Sequence, residues 1–136
     1  MSAKNQEALR VLDGLKSAIG EGNVLSVQVK RERRLFVTLK DDAVKPAVTY
    51  LAGAGFVHIT TITGLDLGNT LEVVYHLDRD GVQLSLRTAV PESRPALKTI
   101  TDVLPGAVFY EREVHDLLGV VFEGHPDLSP LVLPEG

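Results

Sequence analysis

Glu111 and His115 stand four residues apart, Arg112, Glu113 and Asp116 crowd around them, and His125 and Asp127 follow closely. Carboxylates and imidazoles at this density raise two kinds of chemistry. On a helix the four-residue spacing puts Glu111 and His115 on one face, where they would offer two metal ligands, with Asp116, His125 and Asp127 nearby. The competing reading is an ion-pair network, Arg112 flanked by carboxylates at a surface or interface. The second is preferred. A metal needs at least three protein ligands in fixed geometry, and the segment after Phe122 carries Gly124, Pro126, Pro130 and Pro134, which lack donors or bias the chain away from regular structure. No catalytic, cofactor-binding or metal-ligating residue is assigned.

Other chemistries are excluded by what the chain lacks. With no cysteine it offers no thiolate for an iron–sulfur cluster, a cysteine zinc site or a thiol nucleophile. No serine sits in a nucleophile-elbow context. Ala52-Gly53-Ala54-Gly55 is glycine-rich, but it follows a helix, precedes a strand and lacks the lysine of a phosphate loop. There is no Gly-x-Gly-x-x-Gly, so NADH binding by this chain is not expected and no cofactor is assigned to it. His58 and His76 fall on strands as structural or exposed residues, and Asp66 and Asp102 read as turn caps.

The chain that must position these residues has 136 positions, 44% of them hydrophobic and 24% charged, which supports one core. The formal net charge of −4 argues against nucleic acid as the main partner. No run reaches the roughly 18 apolar residues of a membrane span, and the first residues lack the apolar stretch of a signal peptide, so a soluble, intracellular chain is expected. Residues 3–19 read as a helix with Ala8, Leu12, Leu15 and Ile19 on one stripe and Gly20 as its stop. Two strands follow, 24–30 and 35–39, with Leu25, Val27, Val29, Leu35, Val37 and Leu39 inward, around the basic tip Arg31-Glu32-Arg33-Arg34. That tip is taken as solvated, with an acidic neighbour as the alternative. A second helix spans 42–52, then strands 56–63, 71–77 and 82–88, the last two joined by the tight turn Asp80-Gly81. Gln83, Ser85 and Arg87 are expected on the wet side of the sheet. Residues 95–103 read as a short helix. The order α-β-β-α-β-β-β gives an α+β fold, a two-layer α/β sandwich with helices on one face, a short C-terminal helix and an irregular proline-rich tail.

A second short helix starts at Glu111, with Val114, Leu117, Leu118 and Val121 on its apolar stripe, its charges on the other side, and Gly119 as its stop. The organisation is thus a scaffold domain over 1–110 and a docking arm over 111–136, the arm expected to be mobile from about Val121 and in need of an outside surface.

Glu111-Arg112-Glu113, Asp116-Leu117, Gly119, Phe122, Gly124-His125-Pro126-Asp127-Leu128 and Leu133-Pro134-Glu135 together resemble the signature of the 30 kDa subunit of respiratory complex I, the NADH:quinone oxidoreductase. The family includes the equivalent subunits of energy-converting hydrogenases and related archaeal complexes. A looser likeness runs upstream to Phe56. Ser129 and Pro130 stand where the family usually has two arginines, and a longer basic continuation is typical beyond the position of Gly136, which points to a compact archaeal or hydrogenase-type member or a shortened chain. His125-Pro126-Asp127 also occurs in J-domain co-chaperones, but those are all-helical and have a basic helix before the motif.

The resemblance implies a non-catalytic peripheral-arm subunit that scaffolds the large quinone-site or hydrogenase-like subunit beside iron–sulfur subunits, on the cytoplasmic face of the membrane and without entering it. Interface residues are then expected at Glu111, Arg112, Glu113, Asp116, Phe122, His125, Pro126, Asp127, Leu128, Leu131 and Leu133. The alternative from another class is a free-standing small metal-binding or hydrolytic protein using Glu111, His115 and His125.

Overall fold

The computed structural model describes residues 2–128. Helix α1 (Ala3–Ile19) begins where Ser2 Oγ accepts the Asn5 amide at 3.1 Å and ends at Gly20, whose φ of 97° suits only glycine comfortably. Its buried stripe is Ala8, Leu12 and Leu15. Strands β1 (Val24–Arg31) and β2 (Arg34–Leu39) form a hairpin, and a 3-10 turn at Asp41–Ala43 leads into α2 (Val44–Gly53), with Pro46 in its first turn as expected. Strands β3 (His58–Asp66), β4 (Thr70–Arg79) and β5 (Val82–Pro91) follow; the β4–β5 turn has positive φ at both Asp80 (52°) and Gly81 (79°), the geometry of a tight hairpin.

These five strands form one sheet in the order β1-β2-β5-β4-β3, antiparallel except where β2 runs parallel to β5. Register puts Leu35, Val37, Leu84, Leu86, Tyr75 and Leu77 on one face, all fully buried, and the helices cover that face. The fold is an α+β two-layer sandwich.

Three expectations fail, each for a reason visible in the pairing. Residues 95–103 are not helical: Ala96–Lys98 form strand β6, parallel to β7 (Val121–Glu123), and Leu97 and Phe122 pair in register with both side chains buried. The partner strand lies more than twenty residues away, beyond the reach of local propensity. Leu25 and Val29 are exposed: the register shift between Val24 and Ser26 turns Leu25 out of the core alternation, and Val29, in register with inward Leu35, lies on an edge strand that leaves it open. Ser85 is fully buried on the side expected to be wet, where its Oγ lies 2.8 Å from His76 Nδ1.

Helix α3 (Ala107–Leu118) ends at Gly119 in left-handed geometry, φ 76°. It lies along β3: Gly64, in register with Val73, faces Val114 and Leu118, and a Cβ there would stand 2.5 Å from Leu118 Cδ1. The boundary drawn at 110/111 falls inside this helix. Residues 121–128 are not a free arm either, since β7 is paired, Val120 and Phe122 are buried, and Leu128 packs against the core. Leu131, Leu133 and the last two prolines lie outside the described residues.

Candidate functional site

The charged cluster is a set of ties between α3, the turn before it and the segment after it. Glu111 projects inward with its side chain 0% exposed. Its Oε1 accepts the Thr99 hydroxyl at 2.5 Å and its Oε2 accepts the Ile100 amide at 2.8 Å, so a carboxylate on the helix satisfies a buried backbone donor that has left strand β6. Thr99 Oγ1 is in turn 2.9 Å from Thr101 Oγ1. Burial pushes the Glu111 carboxyl above its ordinary value, against the pull of these hydrogen bonds. The same burial, with the Glu111 charge added, raises the phenol of fully buried Tyr75. The expectation of Glu111 on an outward charged face is therefore corrected: it lies in this chain's own core.

His125 is equally occupied. Its Nε2–H donates to the Val108 carbonyl at 2.9 Å and its Nδ1 accepts the Asp127 amide at 2.9 Å, an arrangement that requires the neutral imidazole protonated on Nε2. Nε2 is 4.0 Å from Glu111 Oε1. Arg112 Nη1 donates to Asp127 Oδ2 at 3.0 Å and to the Asp127 carbonyl at 3.3 Å, while Nε lies 3.8 Å from Asp116 Oδ2. Gly124-His125-Pro126-Asp127 is thus stitched to α3 at Val108 and Arg112.

Of the expected interface residues, Glu113, Asp116, Pro126 and Asp127 are exposed, and Arg112 is half-buried in its ion pairs. Glu111 and Phe122 are in the core, and His125 and Leu128 turn toward it. Glu111 and His115 do not form a ligand pair. His115 Nδ1 is bonded to the Val120 carbonyl at 2.8 Å, and among the described residues no three of His, Asp and Glu converge as a metal site. The His76–Ser85 pair, a juxtaposition set by β4–β5 register, has the elements of a nucleophile and base, but Ser85 is closed to any substrate and burial lowers the His76 pKa. Asp66 does cap a turn, its Oδ1 accepting the Gly68 amide at 2.9 Å, whereas Asp102 pairs with Lys45 at 2.8 Å, and the hydrogen bond from that lysine holds its carboxyl below its usual value.

Sequence reasoning missed Thr99 and Ile100 as the partners of Glu111, because they lay in a stretch read as helix. It also turned Leu117 inward. Leu117 is 82% exposed and Phe109 75% exposed; spacing of eight residues with Glu113 midway was the signal for a shared outer face.

Residues 37–136 match the family model described as "Respiratory-chain NADH dehydrogenase, 30 Kd subunit". The chain is 39% identical over 115 residues to NADH-quinone oxidoreductase subunit 5 of Thermus thermophilus, covering 74% of this chain and 56% of that protein. Against a subunit of the F(420)H(2) dehydrogenase of Methanosarcina mazei it is 30% identical over 134 residues, covering 95% and 84%. Among solved structures it resembles a trypsin-resistant fragment of Nqo5, with a TM-score of 0.74 and 36% identity over 89% of this chain and 98% of that one. It also resembles a chain of the membrane-bound sulfane sulfur reductase, an archaeal respiratory membrane complex, with a TM-score of 0.79 and 25% identity over 95% and 78%. The chain spans just over half the length of the Thermus relative. With its fold, its Glu111–Leu128 motif and the family model in agreement, this chain belongs to the family of the respiratory-chain NADH dehydrogenase 30 kDa subunit.

Proposed function

We propose that the chain is a non-catalytic subunit, without a cofactor of its own, of a complex I-like NADH:quinone oxidoreductase, and that it scaffolds the large quinone-site subunit beside iron–sulfur subunits at the inner face of the membrane. One observation carries this. The covered acids and bases of the motif are occupied internally: both oxygens of Glu111, both ring nitrogens of His125 and the guanidinium of Arg112 have partners within the chain. Groups so engaged hold a shape and are not poised to move protons in a substrate. No described helix is long and apolar enough to cross a membrane.

The likeness to the Methanosarcina protein and to the archaeal membrane complex supports a second reading, the equivalent subunit of a membrane-bound hydrogenase-type or related archaeal dehydrogenase complex. Affinity purification of the tagged chain from its native cells, with the co-purifying proteins identified, tests both. Recovery of a large partner with iron–sulfur subunits is expected, and the neighbouring subunits tell the two readings apart. The chain purified alone should be colourless and should leave NADH and flavin fluorescence unchanged. A stoichiometric chromophore, or saturable NADH binding, refutes the scaffold role.

A further inference from the structure

Large apolar side chains are exposed unevenly over this molecule. Among the described residues eight are prominently exposed, and six of them (Val57, Leu65, Leu67, Phe109, Leu117 and Val121) belong to β3, its flanking residues, α3 or the residues just after it. The other two, Leu25 and Val29, lie on the opposite edge, on β1. Helix α3 and β3 run side by side in the same direction: Gly106, before the helix, stands by Ile59, and Leu118, at its end, stands by Gly64. Val57 and Phe109 therefore sit toward one end of this edge, and Leu65, Leu67 and Leu117 toward the other. Leu65 alternates with Gly64 and so points to the sheet face away from α3, but the crowding of six of the eight along one edge of a small domain is the mark of a covered surface.

We propose that the outer ridge of α3, formed by Phe109, Glu113 and Leu117 and extended by the exposed residues flanking β3, is the surface that docks the large partner subunit, and that the partner presents an apolar groove rimmed by lysine or arginine. This rests on the subunit reading above. The charge pattern selects the occupant. Glu113, Asp116 and Asp127 border the ridge, and the cation among them, Arg112, is already paired with Asp116 and Asp127. A second copy would set carboxylates against carboxylates on a chain of net charge −4. The chain's own residues 129–136, Ser-Pro-Leu-Val-Leu-Pro-Glu-Gly, contain no cation to answer them. A cationic rim around apolar pockets for Phe109 and Leu117 complements both features, with the aromatic ring as the natural anchor.

The test is affinity purification of the complex through the tagged full-length chain, comparing wild type with Phe109→Ser/Leu117→Ser, Leu25→Ser/Val29→Ser and Glu113→Lys, with a thermal melt of each chain as a control for folding. All four positions of the paired variants are exposed, so melts should stay close to wild type. The ridge pair should lower partner affinity by at least about tenfold. The β1 pair should leave it unchanged, and Glu113→Lys should weaken association and reduce its salt dependence. A ridge pair that assembles as wild type does, or a β1 pair that fails equally, overturns the docking surface while leaving the subunit reading intact. Dimerisation of the wild-type chain that the ridge pair abolishes overturns it in favour of a second copy. Failure of the wild type to recover any large partner refutes the subunit reading as well.

Discussion

Replacing Glu111 by alanine should unfold this chain more readily than replacing any other charged residue of the motif. The carboxylate has no exposure and holds two donors, the Thr99 hydroxyl at 2.5 Å and the Ile100 amide at 2.8 Å. Alanine leaves the Ile100 amide buried and unpaired, at a cost of about 1–3 kcal/mol, while Thr99 keeps its neighbour Thr101. The space vacated by the side chain adds to this, and relief of the buried charge subtracts, so a net loss of roughly 2–4 kcal/mol is expected. Glu111→Gln retains one acceptor and should lose about half as much. Denaturant melts at neutral pH measure both. The pH dependence supplies a second check with a definite sign. Burial raises the Glu111 carboxyl in the folded state, so the folded chain holds that proton more tightly than the unfolded one. The stability linked to this group is present in full below the unfolded value and is lost as pH rises through the raised folded value. Glu111→Gln should remove that decline and leave a flatter profile from mildly acidic to neutral pH. An alanine variant within about 0.5 kcal/mol of wild type, or a profile unchanged by glutamine, would refute the claim that this carboxylate braces the core.

Arg112→Ala should fold normally and lose no more than about 1 kcal/mol in a melt, because its partners Asp116 and Asp127 are largely exposed and solvent screens the pairs. Gly64→Ala should cost about 1–3 kcal/mol by driving a Cβ into Leu118 Cδ1, and Leu118→Ala in the same chain should recover part of it, a coupling that a double-mutant cycle measures. Leu12→Ala, fully buried under α1, should cost about 2–5 kcal/mol in a denaturant melt, well above the roughly 1 kcal/mol of Val27→Ala on the half-covered edge strand. Limited proteolysis should cut within residues 120–128 no faster than the β1–β2 turn, since β7 and His125 tie those residues down.

The parts of the fold that sequence reached are those specified by neighbours in the chain. Gly20 stops α1, Asp80-Gly81 fixes the β4–β5 turn, and Gly119 stops α3, each through a backbone geometry that few residue types accept. What it missed was set by distant partners. Strand β6 exists because Val121–Glu123 returns to pair with it, and three residues around Leu97 carry too little pattern to announce a strand. The burial of Glu111 was hidden for a related reason. Amphipathic reasoning sends a charge outward by default, and only the turn at Thr99–Ile100, packed against the helix, gives that carboxylate cause to face inward.

That inward carboxylate also sets what the helix shows to the outside. At about 100° per residue, Phe109 and Glu113 each lie roughly 160° around α3 from Glu111, with Asp116 and Leu117 beside them, while Ala107, Val114 and Leu118 fall within about 60° of it. Burial follows this division: Ala107 and Val114 are covered, whereas Phe109, Glu113, Asp116 and Leu117 are exposed. An apolar stripe alone would leave the rotation of α3 loosely defined, since Phe109 and Leu117 are as apolar as the residues it buries. The hydrogen bonds that Glu111 accepts from Thr99 and Ile100 break that near-symmetry, because rotating Phe109 inward would carry the carboxylate away from both donors. Arg112 and His125 then add ties on one flank of the helix, through Asp127 and Val108. On the proposed docking surface, Glu111, Arg112 and His125 accordingly act on the partner at one remove: they hold the rotation of α3 that presents Phe109, Glu113 and Leu117, and a variant at Glu111 that still folds should lose assembly through a turned helix rather than through a lost contact.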